Sequence, residues 1–152
     1  NIYLHYAVDE WFAVDVVPRL RGRAHLVRYA DDFVMVFQHE DDARRVMEVL
    51  PKRLARFGLE VSPEKTRLVR FERPSSDADP PDTFDFLGFT LYWGLSRKGS
   101  MVVRWKTAKK RVARTLHAFW EYCRDNRHRP VRTQHATLSR KLRGHYQYLV
   151  SP

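Results

Sequence analysis

Residues 26–30 and 33–37 form two short apolar runs, and the adjacent carboxylates Asp31 and Asp32 stand between them. Both runs are rich in β-formers and too short for helices, so they predict an antiparallel hairpin with Asp31-Asp32 at its tip. A tight two-residue turn selected for stability would use Asn-Gly or Asp-Gly, because it needs positive φ. Asp-Asp meets that need poorly and crowds two like charges unless a cation compensates. A local choice that costs stability points to a functional site. The economical explanation is a divalent metal held by oxygen ligands; the plainer alternative is a solvated acidic turn.

Around that hairpin the periodicity alternates between helix and strand. Ile2, Tyr3, Tyr6, Val8, Trp11 and Phe12 give a mostly apolar helix ending before Pro18. After the hairpin, His39-Glu40-Asp41-Asp42 is an acidic helix start. Ala43, Val46, Met47, Leu50, Leu54 and Phe57 follow at helical spacing, with Gly58 placed for a left-handed cap. Pro51 inside this pattern predicts a kink or two short helices. A strand is expected at 67–71 and another at 84–91, where Gly88 among bulky residues suggests a bulge or close backbone approach. A return strand at 101–105 follows a turn at 97–100. Two helices complete the pattern. One spans 107–127, with Val112, Leu116, Phe119, Trp120 and Cys123 on one stripe. The other follows Pro130, with Leu138, Leu142, Tyr146 and Leu149 repeating the pattern. The order specifies an α+β fold, an antiparallel sheet with helices over 1–105 and an all-helical segment over 106–152. At 152 residues the chain can bury one real core or two small ones.

Charge is uneven. The chain carries a net +10, and residues 94–152 hold fifteen Lys and Arg against two Asp and Glu. Lys106, Lys109, Lys110, Arg111, Arg114, Arg140, Lys141 and Arg143 would line a surface suited to phosphates. Trp105, Trp120, Tyr146 and Tyr148 are placed to stack on sugars or bases, although a core position is expected for most of them. The single Cys123 rules out an internal disulfide and fits a reducing compartment. No apolar run approaches the roughly 20 residues that span a bilayer, and no signal-peptide pattern is visible. Residues 74–82 read as a polar, proline-rich, mobile loop. Zinc-ligand spacing, a phosphate-binding glycine loop and a serine-histidine triad signature are all lacking.

Four segments, in order, carry a family resemblance. Tyr29-Ala30-Asp31-Asp32 between hydrophobic strands resembles the metal-binding hairpin of reverse transcriptases, and its alanine resembles the group II intron type. Gly58-Leu59-Glu60-Val61-Ser62-Pro63-Glu64-Lys65-Thr66 resembles the segment after that hairpin, near the incoming nucleotide. Phe86-Leu87-Gly88-Phe89 is similar to the start of the hairpin that grips the primer's 3′ end. Leu142-Arg143-Gly144, with the following aromatic Tyr146, resembles part of the maturase-associated thumb.

The resemblance implies a partial palm at 1–105 and the start of a helical thumb at 106–152 of an RNA-directed DNA polymerase. Asp31 and Asp32 would bind Mg2+, or Mn2+, and Lys65 would stabilise or protonate the leaving pyrophosphate. Tyr29, Phe86, Leu87 and Gly88 would contact nucleic acid. The implied partners are an RNA template, a DNA primer, dNTPs and structured intron RNA, with no membrane. The implied setting is a bacterial-type cytoplasm, at the nucleoid or associated with RNA. Fingers, a template loop and a palm strand with another aspartate are expected upstream. The chain alone is therefore expected not to polymerise, and to expose a sheet edge. Two other classes fit parts of the pattern: a non-catalytic intron-RNA-binding remnant, and a nucleotide cyclase-like palm enzyme. Retron, diversity-generating and CRISPR-associated reverse transcriptases share some of the same motifs.

Overall fold

Ala7, Val8, Trp11, Phe12 and Val16 line one side of the N-terminal helix and are buried against Val46, Leu50 and Leu54. The computed structural model describes residues 2–74 and 82–149. The helix starts as α1 (Ile2–Leu4) and continues in wide π turns at His5–Glu10 and Phe12–Val16. It ends in a tight 3-10 turn, Val17–Arg19. The chain thus keeps turning through Pro18 rather than stopping before it, because a proline at the start of a helical turn has no intrahelical N–H to lose.

Val46, Leu50 and Leu54 belong to α2 (Glu40–Ala55), which opens on three acidic residues. A carboxylate-rich first turn complements the positive end of the helix dipole. The expected kink at Pro51 does not occur: α2 is one helix through that residue. Pro51 and Met47, whose carbonyl loses a partner, are both exposed, while apolar side chains before and after the proline pack on one helix and hold one axis. Arg53 adds a polar tie, its Nε and Nη2 donating to the carbonyls of Ala7 (3.2 Å) and Tyr6 (3.1 Å). The helix stops where expected. Gly58 has φ +65°, its N–H bonds Ala55 O at 3.0 Å, and the Leu59 N–H bonds Leu54 O at 3.0 Å. These are the paired bonds of a Schellman cap.

Strands β1 (Ala24–Tyr29) and β2 (Asp32–Phe37) pair antiparallel, Ala24 opposite Phe37 and Tyr29 opposite Asp32. The period of two sends Ala24, Leu26, Phe33, Met35 and Phe37 onto the core. Phe12 meets Phe37 edge-on at 6.1 Å between centroids. His25, Val27, Tyr29, Asp32 and Val36 lie on the exposed face. No third strand joins this sheet among the described residues, which leaves both edges open. The strand expected at 67–71 is irregular chain instead. Apolar content gave the expectation, but a strand needs a ladder partner, and this segment takes neither open edge.

The entry to β1 is fixed by a buried carboxylate. Asp42, 1% exposed, accepts the backbone N–H groups of Arg21 (3.0 Å) and Gly22 (3.2 Å) on one oxygen. Asp42→Ala would leave both donors without that acceptor. The variant is expected to lose on the order of 2 kcal/mol in urea unfolding.

The chain divides into two compact units, residues 1–82 and 83–152. In the second, β3 (Phe84–Phe86), β4 (Phe89–Leu95) and β5 (Met101–Thr107) form an antiparallel sheet in that order. Helices α3 (Lys109–Asp125) and α4 (Val131–Leu149) follow, separated around Pro130 as expected. The single strand expected at 84–91 is corrected to a hairpin. Phe86 pairs with Phe89, and Leu87 (φ +52°) and Gly88 (φ +81°) make the two-residue turn. Gly88 therefore serves a turn needing two positive φ values, not a bulge. Phe89 belongs to β4.

Apolar stripes on the helices are present but largely uncovered. Val112, Leu116, Trp120 and Cys123 of α3 are exposed, and Ala108 is the unit's one buried hydrophobic residue among those described. Trp105 (63% exposed), Trp120 (57%) and Tyr146 (60%) are likewise on the surface, not in a core. Periodicity specifies that a helix has an apolar face; it does not specify what covers it. The Tyr148 side chain and residues 75–81 of the proline-rich segment lie outside the described residues.

Candidate active site

The β1–β2 turn differs in one residue from the sequence expectation. Because Tyr29 pairs with Asp32, the turn residues are Ala30 and Asp31, and Asp32 is the first residue of β2. Ala30 takes φ +55°. The turn settles where a small side chain occupies the left-handed conformation, at a cost of about 1 kcal/mol relative to glycine. Asp31 thus projects from the turn itself. Asp32 lies opposite Tyr29 on the exposed face, where Tyr29 is 69% exposed.

Both carboxylates are exposed, and neither makes a side-chain hydrogen bond or ion pair among the described residues. Four oxygen acceptors are therefore free, among the described residues, at the tip of a two-stranded ribbon. No group of three His, Cys, Asp or Glu side chains suited to a metal occurs among the described residues. The donor set fits magnesium, which characteristically takes one or two carboxylates and completes its octahedron with water and substrate phosphates.

Behind the turn lies an ion pair that the sequence reading left unassigned. Arg28 Nε and Nη2 donate to the two oxygens of Asp9 at 2.6 and 2.5 Å, and Nη1 donates to the Ala30 carbonyl at 2.8 Å. Asp9 comes from the N-terminal helix, where His5 Nδ1 also approaches it at 3.3 Å. The Arg28 hydrogen bonds hold the Asp9 carboxyl below the usual carboxylate range, against the opposing effect of burial. Asp9 in turn raises the Arg28 guanidinium. A folded-state pKa below the unfolded value stabilises at pH above about 3.9 and fades only as pH falls through the lowered value. The pair is therefore fully charged at neutral pH. One signal for it was legible: Arg28 occupies an inward position of β1, in phase with Ala24 and Leu26.

Lys65 lies in an exposed turn of the same unit, its N–H and that of Thr66 both bonded to the Ser62 carbonyl at 3.2 and 3.0 Å. In the second unit, the structure brings Leu87, Gly88 and Arg111 together. The Ala108 N–H donates to the Gly88 carbonyl at 3.0 Å, placing the start of α3 on the turn. A Cβ on Gly88 would collide with the Arg111 guanidinium. Phe86, half-buried, flanks this turn.

The remaining cations are surface groups. Lys106 reaches over the Tyr92 ring (4.9 Å to its centroid) and Lys141 of α4 over the Tyr122 ring of α3 (4.7 Å). Lys109, Lys110, Arg114, Arg140 and Arg143 are exposed. The sequence reading missed a cluster on α3 in which Trp120 lies between His117, stacked at 5.8 Å, and Arg124 at 4.8 Å. Its i, i+3 and i+4 spacings were the available signal.

Leu87 is the odd residue of its turn, since type I′ positions favour Asn, Asp or Gly. Leu87→Asn is expected to stabilise the second unit by about 1 kcal/mol, read as a higher Tm.

No curated protein and no solved structure is significantly similar to this chain. A model of the reverse transcriptase (RNA-dependent DNA polymerase) family does match, over residues 2–91. That match takes in the β1–β2 hairpin with both aspartates, Lys65 and the Phe86-Leu87-Gly88-Phe89 turn, and it covers more than half of the sequence. The chain belongs to the reverse transcriptase (RNA-dependent DNA polymerase) family.

Proposed function

We propose that the chain carries part of the polymerising centre of a group II intron-type reverse transcriptase, with palm elements over 1–105 and the start of the thumb over 106–152. The observation that carries this reading is the pair of adjacent carboxylates, Asp31 and Asp32, without side-chain partners among the described residues, on a hairpin tip with a left-handed alanine. These two residues would hold Mg2+, or Mn2+ in its place. Metal bound there would stabilise charge on the attacking 3′-hydroxyl and the leaving phosphate oxygens. Lys65, on an exposed turn in the same unit, is suited to offset charge on the departing pyrophosphate. Tyr29 beside Asp32, and the Leu87-Gly88 turn with Phe86, would contact primer and template. The cations of β5, α3 and α4 would follow the phosphates.

A second reading is favoured by a different observation. The basic carboxyl-terminal region exposes Trp105 and Trp120 beside its cations, the combination used by sequence-tolerant nucleic-acid binders. On that reading the chain is an RNA-binding module without catalysis. Primer extension by the product of the whole reading frame separates the two. Incorporation of dNTPs that requires Mg2+, an RNA template and a primer is the expected result. Salt-sensitive RNA binding with no incorporation would establish the module instead. Nucleotide turnover without template or primer would point to a cyclase-like enzyme.

A further inference from the structure

We infer that Arg28, anchored by Asp9, is a positioning residue that sets the orientation of the Ala30–Asp31 peptide and thereby of the metal-binding carboxylates. This rests on the reading of Asp31 and Asp32 as metal ligands. Arg28 divides its donors between two elements. Nε and Nη2 form a planar, two-bonded fork with Asp9 on the N-terminal helix, and Nη1 grips the carbonyl of Ala30 in the turn. The side chains of Arg28 and Asp9 are 15% and 26% exposed, so the Asp9 bonds are partly sheltered from water, while the bond to Ala30 O lies at the surface.

The carbonyl it grips is the sensitive one. Ala30 O belongs to the peptide that also contains the Asp31 nitrogen, and Ala30 is the residue held at φ +55°. An alanine left to itself favours negative φ. Rotation of this peptide out of its present orientation would turn the carbonyl away from Arg28 and redirect Asp31. The clamp opposes that rotation from behind, without touching either metal-binding carboxylate. The geometry also explains an arginine at an inward position of a strand whose other inward residues are apolar. A guanidinium can bond a carboxylate with two donors and still extend a third, whereas an ammonium lacks that fixed geometry. The N-terminal helix thus acts on the site through one side chain, Asp9.

The test uses the 152-residue chain with Arg28→Lys, Asp9→Asn and the double variant Arg28→Lys with Ala30→Gly; the pair Asp31→Asn with Asp32→Asn is the control. Without metal, the Ala30 and Asp31 amide resonances are expected to be sharp in the native chain. Exchange should broaden them in Arg28→Lys and Asp9→Asn. Ala30→Gly should sharpen them again, because glycine holds positive φ unaided. In a Mn2+ titration, the concentration that half-broadens resonances flanking the turn should rise about five- to tenfold in each single variant. The double variant should return to within about twofold of the native value.

Native-like resonances and Mn2+ response in Arg28→Lys would overturn the proposal, and so would failure of Ala30→Gly to restore them. If Arg28→Lys loses its dispersed spectrum altogether, Asp9→Asn decides by the same two readouts. Mn2+ broadening that persists in the aspartate control would sink the metal reading alone; the metal-free resonances would still decide the clamp.

Discussion

Asp31→Ala, and separately Asp32→Ala, is expected to lower templated primer extension by the product of the whole reading frame by at least about a thousandfold while leaving the fold intact. The first half follows from what the carboxylates would do: metal-borne stabilisation of developing charge is worth several kcal/mol, and each ~1.4 kcal/mol is a factor of ten in rate. The second half follows from where they are. Both side chains are exposed and make no side-chain hydrogen bond or ion pair among the described residues, so truncation removes no packing and orphans no donor. Changes at such positions usually stay within about 0.5 kcal/mol of the parent stability. Relief of like-charge crowding could only favour the variants. The comparison therefore needs three measurements on the same protein: extension rate, urea midpoint and template–primer affinity. Loss of rate with the other two unchanged is the outcome that fits. Retained extension in both variants would remove these residues from the chemistry, whatever the family match.

The contrast between Asp42 and the Asp31-Asp32 pair shows what the sequence could and could not say. All three are aspartates in or beside acidic runs. Asp31 and Asp32 stood out as candidates for a functional site because they interrupt strand-forming residues where a turn would prefer glycine. Asp42 read as one of several helix-start carboxylates, and its burial against the Arg21 and Gly22 amides depends on a loop approaching from outside the helix. The same limit governs the misplaced turn. Register decides whether the bend is Ala30-Asp31 or Asp31-Asp32, and register is set by which face meets Phe12, Leu50 and the rest of the core. Local punctuation held at Gly58 and Pro130, where a left-handed cap or a missing N–H acts on its own neighbours, but not at Pro51, where packing on both sides of the proline keeps α2 on one axis. Segment 67–71 failed because strand formation is a property of two segments and only one was in view. The uncovered stripe of α3 belongs to the same class.

The second large effect is expected from charge. Lys109, Lys110 and Arg114 are exposed, and none makes a side-chain hydrogen bond or ion pair among the described residues. Arg111, three residues before Arg114, is set apart by its position against Gly88 and is left in place. If the three exposed cations follow the phosphates of an RNA–DNA duplex, replacing them with glutamine releases about three fewer counterions on binding. The slope of log affinity against log salt should then be shallower by roughly 2 to 3, since each phosphate contact contributes about 0.7 to 0.9. At low salt the loss of affinity should exceed tenfold, and the native and triple variants should converge as salt rises. Glutamine keeps helix propensity and length, so α3 should persist, which circular dichroism checks. A parallel displacement of the two salt lines would instead mean that the substitution removed non-ionic contacts. An unchanged line would mean that nucleic acid lies elsewhere. Trp120→Ala provides the complementary case, because stacking is not a counterion effect. It should lower affinity at every salt concentration and leave the slope where it was.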